Sequence, residues 1–541
     1  MFTSLRNRWP FFLLLACSVE FAQMPGPRTH DLCSVRGVVV SADGSEPLRK
    51  ATVTLCDASN PQECSGAVTD VMGQFEITGV DAGRYILTAA CNGYVEQPYG
   101  QRSVNGAGVV LRLAPGQSLS GLTIKLLTGA VITGNVYDEA GLPMAGVLVA
   151  ELRPVYNWGE RQLRVGAVAT TNDLGEYRIW GLNPGPHFVL AEPAPPPIGV
   201  RTDLHYLPTF HPGELDAVHA VPVVARLSDQ LSGIVIDMQP ARGVGVSGRL
   251  YGGGQNPQVF LLQRDISALG DLVPPLPARV QNNDFEFANV APGAYYLYAT
   301  AEDSRGGRML ARQPLQVAAT GFTRFDLTLQ RLTELTGNVI VEGAEKVDTR
   351  WEVSFVPRNG RMILGEPPDT RTGPGGDFTL HAFSPGDYLI RVENLADDWY
   401  LKAARLDGSD VLGSGWSTEV FPYPQHLDLL VSPNGATVDG YVTRGQKTCP
   451  GATVVLVPNP PRRGEQQLYR ATSTDDDGRF LIQGAAPGDY KVFAWESVED
   501  GAYRNAEFLE PFETRGQGTH LQERSHASVN LDLIPTTDAV P

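Results

Sequence analysis

Residues 476–490, which read DDGRFLIQGAAPGDY, decide the fold because they join two turn signals to two strands. The opening Asp-Asp-Gly indicates a tight turn, since glycine permits positive φ and aspartate can bond its own backbone two residues on. Pro487-Gly488 suits a type II turn, with proline at its second position and glycine at its third. After this turn, Tyr490, Val492 and Ala494 are spaced two apart, so they share one face of a strand and are expected in a core.

The same pattern recurs along the chain and divides it into copies. Each copy opens with a strand of the form apolar-x-Gly-x-Val or Leu, and its glycine is Gly37, Gly134, Gly248, Gly337 or Gly440. Counterparts of the Pro-Gly-x-Tyr turn follow at 82–85, 184–188, 292–295 and 385–388. Copies of about 100 residues with many short strands are typical of a β-sandwich. The sequence therefore predicts an all-β chain, a tandem array of five β-sandwich domains.

These copies define five units, whose names are kept below. Unit 1 covers 32–128, unit 2 covers 129–240, unit 3 covers 241–331, unit 4 covers 332–432 and unit 5 covers 433–541. The repeated tyrosine of the Pro-Gly-x-Tyr turn is interpreted as a core aromatic rather than as a platform for a ligand. The linkers between units are very short, which favours a semi-rigid rod over flexibly joined beads.

Composition limits the classes of function. Against 60 Asp and Glu there are only 43 Lys and Arg, and the formal net charge is −17. This balance argues against a nucleic-acid partner, because phosphate neutralisation needs clustered Lys and Arg. No stretch after the N-terminal segment has 18 uncharged apolar residues, so we expect no transmembrane span.

The N-terminal segment 1–22 has the form of a signal peptide. Arg6 and Arg8 form a basic region, and an apolar core over 11–16 follows that is too short to span a bilayer. The sequence up to Cys17 also resembles a bacterial lipobox, which would make Cys17 a lipidated first residue. Soluble export and a lipid anchor stay open as alternatives. Both predict an exported protein that is periplasmic, associated with the outer membrane, or extracellular.

Cysteine usage agrees with export. Cys33, Cys56, Cys64 and Cys91 all lie in unit 1, and in an oxidising compartment they allow three pairings. Cys56 and Cys64 flank a turn-rich segment and are candidates to bridge neighbouring strands, in which case Cys33 and Cys91 would tie the ends of the unit. Zinc binding is the weaker alternative, because no close Cys-x-x-Cys pair exists. Cys449 has no evident partner and is expected to be a buried thiol.

The order of these motifs carries a family resemblance. The succession Gly-x-Val, Ala-x-Val-x-Leu, Asp-x-x-Gly-x-Phe and Pro-Gly-x-Tyr resembles the carboxypeptidase regulatory-like domain, most clearly over 433–495, 130–190 and 34–90. The resemblance implies a transthyretin-like (prealbumin-like) sandwich of Greek-key type, within the wider carbohydrate-binding-like group of folds. The chain is also similar to exported tandem-repeat proteins of soil bacteria. The resemblance is informative about fold more than about function, since such sandwiches host many roles.

Candidate catalytic and metal motifs have simpler interpretations. His211-Pro212-Gly213-Glu214 matches the H-x-x-E of zinc carboxypeptidases, but its Pro and Gly indicate a turn and the chain has no α/β catalytic domain. His205 and His219 lie near that motif in sequence and suggest adventitious metal binding at most. Asp475-Asp476-Asp477 suits weak calcium binding, yet a solvated turn is the better interpretation. We therefore expect no enzyme activity, no catalytic or metal-binding residue and no cofactor.

Aromatic residues outside the core pattern are candidate ligand contacts, because exposed rings stack on the faces of sugars. Trp158 lies in an insertion that lengthens unit 2, and Trp399 and Tyr400 lie in a loop-like stretch of unit 4. The alternative is that these rings pack between neighbouring sandwiches.

Together these features favour a non-catalytic exported protein that binds a carbohydrate or another component of the cell envelope. One alternative is a structural spacer or adhesin-like scaffold for protein interactions. Another is an accessory subunit of a peptidase or of an outer-membrane transport system.

Overall fold

The computed structural model describes most of the chain after the N-terminal segment. The described residues are 32–58, 63–102, 106–193, 204–263, 275–318, 323–331, 335–344, 349–357, 369–380, 387–417 and 425–536. The predicted signal peptide 1–22 and Cys17 lie outside them. Within them, strands dominate and none of the helices has the length and apolar character that crossing a bilayer requires. The predicted all-β class is confirmed.

Unit 1 folds into two packed sheets. Its strands are β1 (Cys33–Ser41), β2 (Thr52–Asp57), β3 (Cys64–Val68), β4 (Gln74–Val80), β5 (Gly83–Ala90), β6 (Gln97–Pro98), β7 (Leu111–Leu113) and β8 (Ser118–Leu126). One sheet has the order β4-β1-β8, and the other has β3-β2-β5-β6, with β7 also paired to β5. Val35 and Ile124 of the first sheet meet Val53 and Leu87 of the second in one buried cluster. Burying a side chain of this size contributes about 1.5–3 kcal/mol.

Unit 2 repeats this arrangement with a longer hairpin. Its strands are β9 (Ala130–Tyr137), β10 (Leu148–Asn157), β11 (Glu160–Thr170), β12 (Glu176–Leu182), β13 (Gly185–Glu192), β14 (Leu204–Tyr206), β15 (Thr209–Phe210), β16 (Val223–Ala225), β17 (Gln230–Leu231), β18 (Ile236–Asp237) and β19 (Pro240–Arg242). One sheet has the order β12-β9-β17 and the other β11-β10-β13-β15, while β14 and β19 form a separate pair.

Unit 3 again has two sheets. Its strands are β20 (Val244–Tyr251), β21 (Gln255–Gln263), β22 (Leu276–Pro277), β23 (Arg279–Gln281), β24 (Asp284–Val290), β25 (Gly293–Glu302), β26 (Arg308–Val317), β27 (Thr323–Arg324), β28 (Leu327–Thr328) and β29 (Gln330–Arg331). The sheets have the orders β23-β24-β20-β27 and β22-β21-β25-β26-β29. Its core includes Val246, Leu261 and Leu297.

Unit 4 contains the strands β30 (Leu335–Val341), β31 (Glu352–Pro357), β32 (Asp369–Arg371), β33 (Asp377–Leu380), β34 (Asp387–Glu393), β35 (Tyr400–Leu406), β36 (Ser409–Asp410), β37 (Trp416–Ser417) and β38 (Gln425–Ser432). Their sheets have the orders β33-β30-β38-β35-β36 and β32-β31-β34-β37. The core that they enclose includes Trp351, Phe355 and Leu429.

Unit 5 adds short helices to the sandwich. Its strands are β39 (Ala436–Arg444), β40 (Lys447–Thr448), β41 (Thr453–Pro458), β42 (Arg470–Ser473), β43 (Arg479–Ala485), β44 (Gly488–Trp495), β45 (Gln517–Leu521), β46 (His526–Ser528) and β47 (Leu531–Asp532). A helix α1 (Ala506–Leu509) lies between 3-10 turns at Ala502–Arg504 and Glu510–Phe512, and two further 3-10 turns are Arg462–Gly464 and Gln466–Leu468. The sheets have the orders β40-β39-β43 and β42-β41-β44-β45.

The five copies share a common set of strand pairings, although the strands added to each sheet differ. In each, the first strand pairs antiparallel with the strand after the aspartate turn and parallel with the closing strand, as β1 does with β4 and β8. The second strand pairs with the third and with the strand of the Pro-Gly-x-Tyr motif, as β2 does with β3 and β5. The repeat seen in the sequence is therefore a repeat of strand pairing. The residue bounds of the units stay a prediction.

The glycine of each first strand is required by close approach to the closing segment. At Gly134 an added Cβ would overlap the carbonyl oxygen of Ile234, and at Gly248 it would overlap that of Phe325. The ring of Phe285, which follows the turn, also lies against Gly248. Any larger residue would force the two strands apart.

The turn motifs of unit 5 form turns at the predicted places, but the aspartate that bonds the backbone is Asp475 rather than Asp476 or Asp477. Asp475 Oδ1 accepts a hydrogen bond from the backbone N–H of Arg479 at 2.8 Å. Tyr490 is buried, and its hydroxyl donates to the carbonyl of Ala486 at 2.8 Å, so the repeated tyrosine is a core residue that also braces its turn. The predicted type II turn is wrong, because Gly488 has a φ of 152° and a type II turn needs about 80° there.

Unit 5 contacts unit 1, which contradicts the predicted rod. The Arg84 guanidinium donates to the carbonyl of Leu481 and to the hydroxyl of Thr472, both at 3.2 Å. Arg112 Nη2 lies 2.9 Å from Oδ2 of Asp475. In a rod, each unit would contact only its sequence neighbours. The array therefore folds back so that its first and last units touch.

Candidate functional site: the junction of units 2, 4 and 5

The insertion of unit 2 extends a hairpin. Strands β10 and β11 pair from Leu148↔Thr170 out to Asn157↔Glu160, and Trp158-Gly159 forms the tip. Both tip residues have positive φ, 52° and 82°, as a type I′ turn requires. We call β10, β11 and this tip the unit 2 hairpin. Its length carries the tip beyond the sandwich that it belongs to.

The hairpin tip docks on unit 5. Tyr156 packs against an apolar cluster of unit 5, and its ring centroid lies 6.1 Å from that of Phe508. The side-chain amide of Asn505 donates to the carbonyl of Gly159 at 2.8 Å. A Cβ added at Gly159 would lie 2.7 Å from the carbonyl oxygen of Arg504, so only glycine allows this approach.

The indole of Trp158 covers two arginines from other units. The guanidinium carbon of Arg391 in unit 4 lies 4.3 Å from the Trp158 ring centroid, and that of Arg504 in unit 5 lies 5.4 Å from it. A guanidinium over an indole face is attracted by the ring quadrupole. Three units therefore meet at one side chain.

A cavity of about 190 Å³ lies beside this contact, between units 4 and 5. We call it the junction pocket. Apolar side chains form part of its wall, including Ile390, Leu401 and Leu468. Its polar lining includes Arg391, Glu393, Tyr400, Tyr469, Arg470 and Arg504.

The three arginines of the junction pocket are held by neutral groups. Arg470 donates to the carbonyls of Gln467 at 2.7 Å and Gly484 at 3.2 Å. Arg504 donates to the carbonyl of Gln466 at 2.7 Å and stacks on the Tyr469 ring. Among the described residues, no carboxylate forms a salt bridge with either of them or with Arg391.

Electrostatics in the pocket favour a bound anion. Burial lowers the pKa of Arg391, and the neighbouring charge of Arg504 lowers it further, while Glu393 opposes both effects. Burial also lowers the pKa of Arg470, and Arg504 and Arg391 add to this. Arginine nevertheless stays protonated in proteins, so three positive charges face one carboxylate. The arrangement can hold an anion.

The structure brings two of the three predicted aromatic contacts to this junction. Trp158 is half-buried over Arg391, and Tyr400 lines the pocket with its hydroxyl 3.3 Å from Glu523 Oε1. Trp399 instead packs on the unit 4 core, with its ring 6.3 Å from that of Trp351. All three rings therefore contribute to packing within or between units, and their role in ligand binding stays a prediction.

The cysteines of unit 1 form one disulfide in the structure. Cys56 and Cys64 lie directly opposite each other on β2 and β3 and are bonded. The second predicted bridge is not present there, because Cys33 and Cys91 are thiols and the Cys33 Sγ is directed at the carbonyl of Ala114, 3.1 Å away. Cys449 is a buried thiol, as predicted.

The H-x-x-E motif lies on a turn. Backbone hydrogen bonds of 2.7 and 2.9 Å join Phe210 and Glu214, and His211 Nδ1 lies 2.6 Å from the carbonyl oxygen of Val235. Among the described residues, no group of three or more His, Cys, Asp and Glu is arranged to hold a metal ion. The Asp475 carboxylate contacts backbone N–H groups and Arg112.

A second concavity, of about 440 Å³, lies on unit 1. Its charged lining includes Arg36 and Glu76, which form an exposed ion pair at 2.6 Å. Because that pair already satisfies its charges, we regard the junction pocket as the stronger candidate site.

Sequence reasoning missed the three pocket arginines. Arg391, Arg470 and Arg504 occupy no repeated motif position, and they come from separate stretches of units 4 and 5. The available signal was the segment 496–516, which lengthens unit 5 between two strands and carries Arg504.

Fold and junction together define a multi-domain β-sandwich protein. Residues 34–126 match the family described as the carboxypeptidase regulatory-like domain, which confirms the resemblance for unit 1. Among curated proteins, no relative matches this chain.

Solved structures that match this chain include bacterial pilins. A streptococcal ancillary pilin is 13% identical with a TM-score of 0.19, over 55% of this chain and 99% of the pilin. The minor pilin GBS52 of Streptococcus agalactiae is 13% identical with a TM-score of 0.23, over 39% of this chain and 98% of its own. BcpA, the major pilin subunit of Bacillus cereus, is 9% identical with a TM-score of 0.15, over 56% of this chain and 100% of its own. We draw no functional argument from similarity at this level.

Proposed function

We propose that the chain is an exported, non-catalytic scaffold of five β-sandwich units that binds a component of the cell envelope. The observation that carries the proposal is the set of contacts through which unit 5 holds units 1, 2 and 4. Arg112–Asp475, Asn505–Gly159 and the Trp158 stack fix sandwich surfaces relative to one another. A fixed arrangement of surfaces suits a scaffold that presents several faces to partners.

Export is supported by the Cys56–Cys64 disulfide, because structural disulfides persist in oxidising compartments outside the cytoplasm. Within this proposal, 1–22 acts as the signal peptide. Cys17 is the attachment point if the protein carries a lipid anchor, and it is removed or unmodified if export is soluble. Mass spectrometry of the mature N-terminus distinguishes the two.

A carbohydrate is the envelope ligand that we propose first. The support is the carboxypeptidase regulatory-like resemblance, together with Tyr400, which lines a cavity, and Trp158, which stacks on the cavity residue Arg391. A protein partner is the alternative, and it would make the chain a spacer, an adhesin-like scaffold or an accessory subunit.

The experiment uses the labelled mature chain and isolated envelopes of the producing bacterium, before and after exhaustive protease digestion of the envelopes. Binding that survives digestion supports a carbohydrate, and binding lost on digestion supports a protein partner. Absence of binding in both cases would overturn the envelope-binding function. A peptidase assay with and without chelator runs alongside, and chelator-sensitive turnover would contradict the non-catalytic assignment.

A further inference from the structure

Positive charge in unit 5 is distributed unevenly. Outside the lining of the junction pocket, Arg462 pairs with Glu465 at 3.0 Å, and Arg463 and Lys491 both pair with Glu513. The arginines that face the junction pocket form no such pairs among the described residues. Carboxylates therefore satisfy the outer cations and leave the inner ones to neutral partners.

Placing several arginines around one cavity without carboxylate partners costs free energy unless other contacts compensate for it. Like charges that share a partly buried site repel each other, and their burial removes hydration. The carbonyls that Arg470 and Arg504 contact, and the Trp158 ring over Arg391, supply part of the compensation. Glu393 supplies one negative charge, which it shares with a hydrogen bond of 2.7 Å from the Ser354 hydroxyl. A net positive charge still faces the cavity.

We propose that the junction pocket binds a small organic oxyanion through Arg391, Arg470 and Arg504, with a compact sugar-sized body against its apolar wall. The guanidinium group matches the planar fork of a carboxylate and the oxygens of a phosphate, and bidentate bonds to either are stronger than neutral ones. A cavity of about 190 Å³ limits the body to roughly one monosaccharide. Ile390, Leu401 and Tyr400 offer it an apolar face.

Because units 4 and 5 both line the pocket, a bound ligand contacts both sides of the junction. Arg391 belongs to unit 4, and Arg470 and Arg504 belong to unit 5, while Trp158 of unit 2 lies over Arg391. An oxyanion that bridges the arginines therefore stabilises the docked arrangement as well as occupying the cavity. Ligand binding and unit 4–unit 5 contact are linked by mass action.

The test is calorimetry on the full mature chain with three probes: D-glucuronate, D-glucose 6-phosphate and neutral D-glucose. We expect one or both anions to bind and to raise the melting temperature, with affinity that falls as salt rises, and we expect glucose not to bind. Binding of glucuronate alone identifies a carboxylate ligand, and binding of the phosphate alone identifies a phosphate ligand. Failure of both anions, or equal binding of glucose, overturns the proposal.

Arg391→Gln tests the site itself, with Arg371→Gln as the matched control, because Arg371 is a well-exposed arginine of the same unit. We expect Arg391→Gln to weaken anion binding by about tenfold or more, in line with the loss of a charge-assisted contact, and Arg371→Gln to leave it unchanged. Equal effects of the two variants would contradict the proposal. Should Arg391→Gln fail to fold, the melting temperature of the unmodified chain with each probe decides whether the proposal stands. A rise with an anion and none with glucose supports it, and no rise with either anion overturns it. None of these results depends on envelope binding, so the two proposals fail separately.

Discussion

The β2–β3 hairpin of unit 1 and the β10–β11 hairpin of unit 2 occupy the same position in the repeat, but their ends make different contacts. In unit 1, strands of six and five residues are closed by the Cys56–Cys64 bridge. In unit 2, strands of ten and eleven residues carry Trp158 out to units 4 and 5. The repeated residues build the sandwich, and the hairpin ends determine what each sandwich contacts.

Unit 5 provides a third version of the same hairpin. Its strands β41 and β42 are joined by the 3-10 turns Arg462–Gly464 and Gln466–Leu468. The second of these turns forms part of the wall of the junction pocket. The chain therefore varies one hairpin position to obtain a cross-link, an inter-unit contact and a candidate binding wall. The following predictions test this division between a constant framework and variable hairpin ends, beginning with the largest effect.

The framework should be least tolerant of change. Gly134→Ala places a Cβ where the carbonyl oxygen of Ile234 lies, so we expect a loss of about 3 kcal/mol or more in the free energy of unfolding of unit 2. Gly518→Ala is the control, because the space around that strand residue is open. Urea unfolding followed by circular dichroism measures both. Equal midpoints would show that the first-strand glycine is dispensable.

The base of the unit 2 hairpin should respond to pH. Glu192 lies opposite Leu148 of β10, and burial raises the pKa of its carboxyl group from 4.5 to about 8. The folded chain then retains a proton that the unfolded chain releases, so the free energy of unfolding falls as pH rises from about 4.5 to about 8.

Glu192→Gln should remove that slope and leave the chain more stable than the unmodified protein at pH 9. One pKa unit corresponds to about 1.4 kcal/mol, so the difference should reach several kcal/mol. Thermal melts at pH 5, 7 and 9 give the comparison. Parallel melting profiles for the two proteins would contradict the buried carboxyl group.

The cross-linked hairpin of unit 1 should lose stability when its bridge is removed. Replacing Cys56 and Cys64 together by alanine should cost about 2.5 kcal/mol, the value expected from closing so short a loop. Cys91→Ala is the control and should cost much less, because Cys91 is a thiol. A comparable loss in Cys91→Ala, abolished by reductant, would reveal the second bridge.

The docked tip of unit 2 should show the smallest effect on stability and a local effect on exchange. Trp158→Ala removes stacking worth about 1–2 kcal/mol, so amide exchange over 499–512 should accelerate. Trp180→Ala is the matched control, because Trp180 is 43% exposed on the same unit. Unchanged exchange in Trp158→Ala would show that the tip does not hold unit 5.

Local signals in the sequence explain what could be predicted. Turn chemistry and alternation act over a few residues, so the Asp-Asp-Gly of 476–478 and the alternation that begins at Tyr490 could predict the sandwich repeat. The first-strand glycine was visible as a pattern, but its cause, contact with a carbonyl such as that of Ile234, depends on a segment about a hundred residues away.

The junction could not be predicted, because it is built between units. Trp158 was identified as a candidate, but nothing local indicates that Arg391 and Arg504 lie beneath it. The rod prediction failed for the same reason: short linkers restrict the separation of neighbours and leave contacts between units 1 and 5 unspecified. The pocket arginines follow only from the arrangement of whole sandwiches.

The central claim is that the array folds back through unit 5, and small-angle X-ray scattering on the monomeric mature chain tests it most directly. We predict a largest dimension well below that of five sandwiches placed end to end, and a scattering curve reproduced by the arrangement in which Arg112 contacts Asp475 and Trp158 contacts Arg391. A largest dimension equal to that of the extended array would contradict the account.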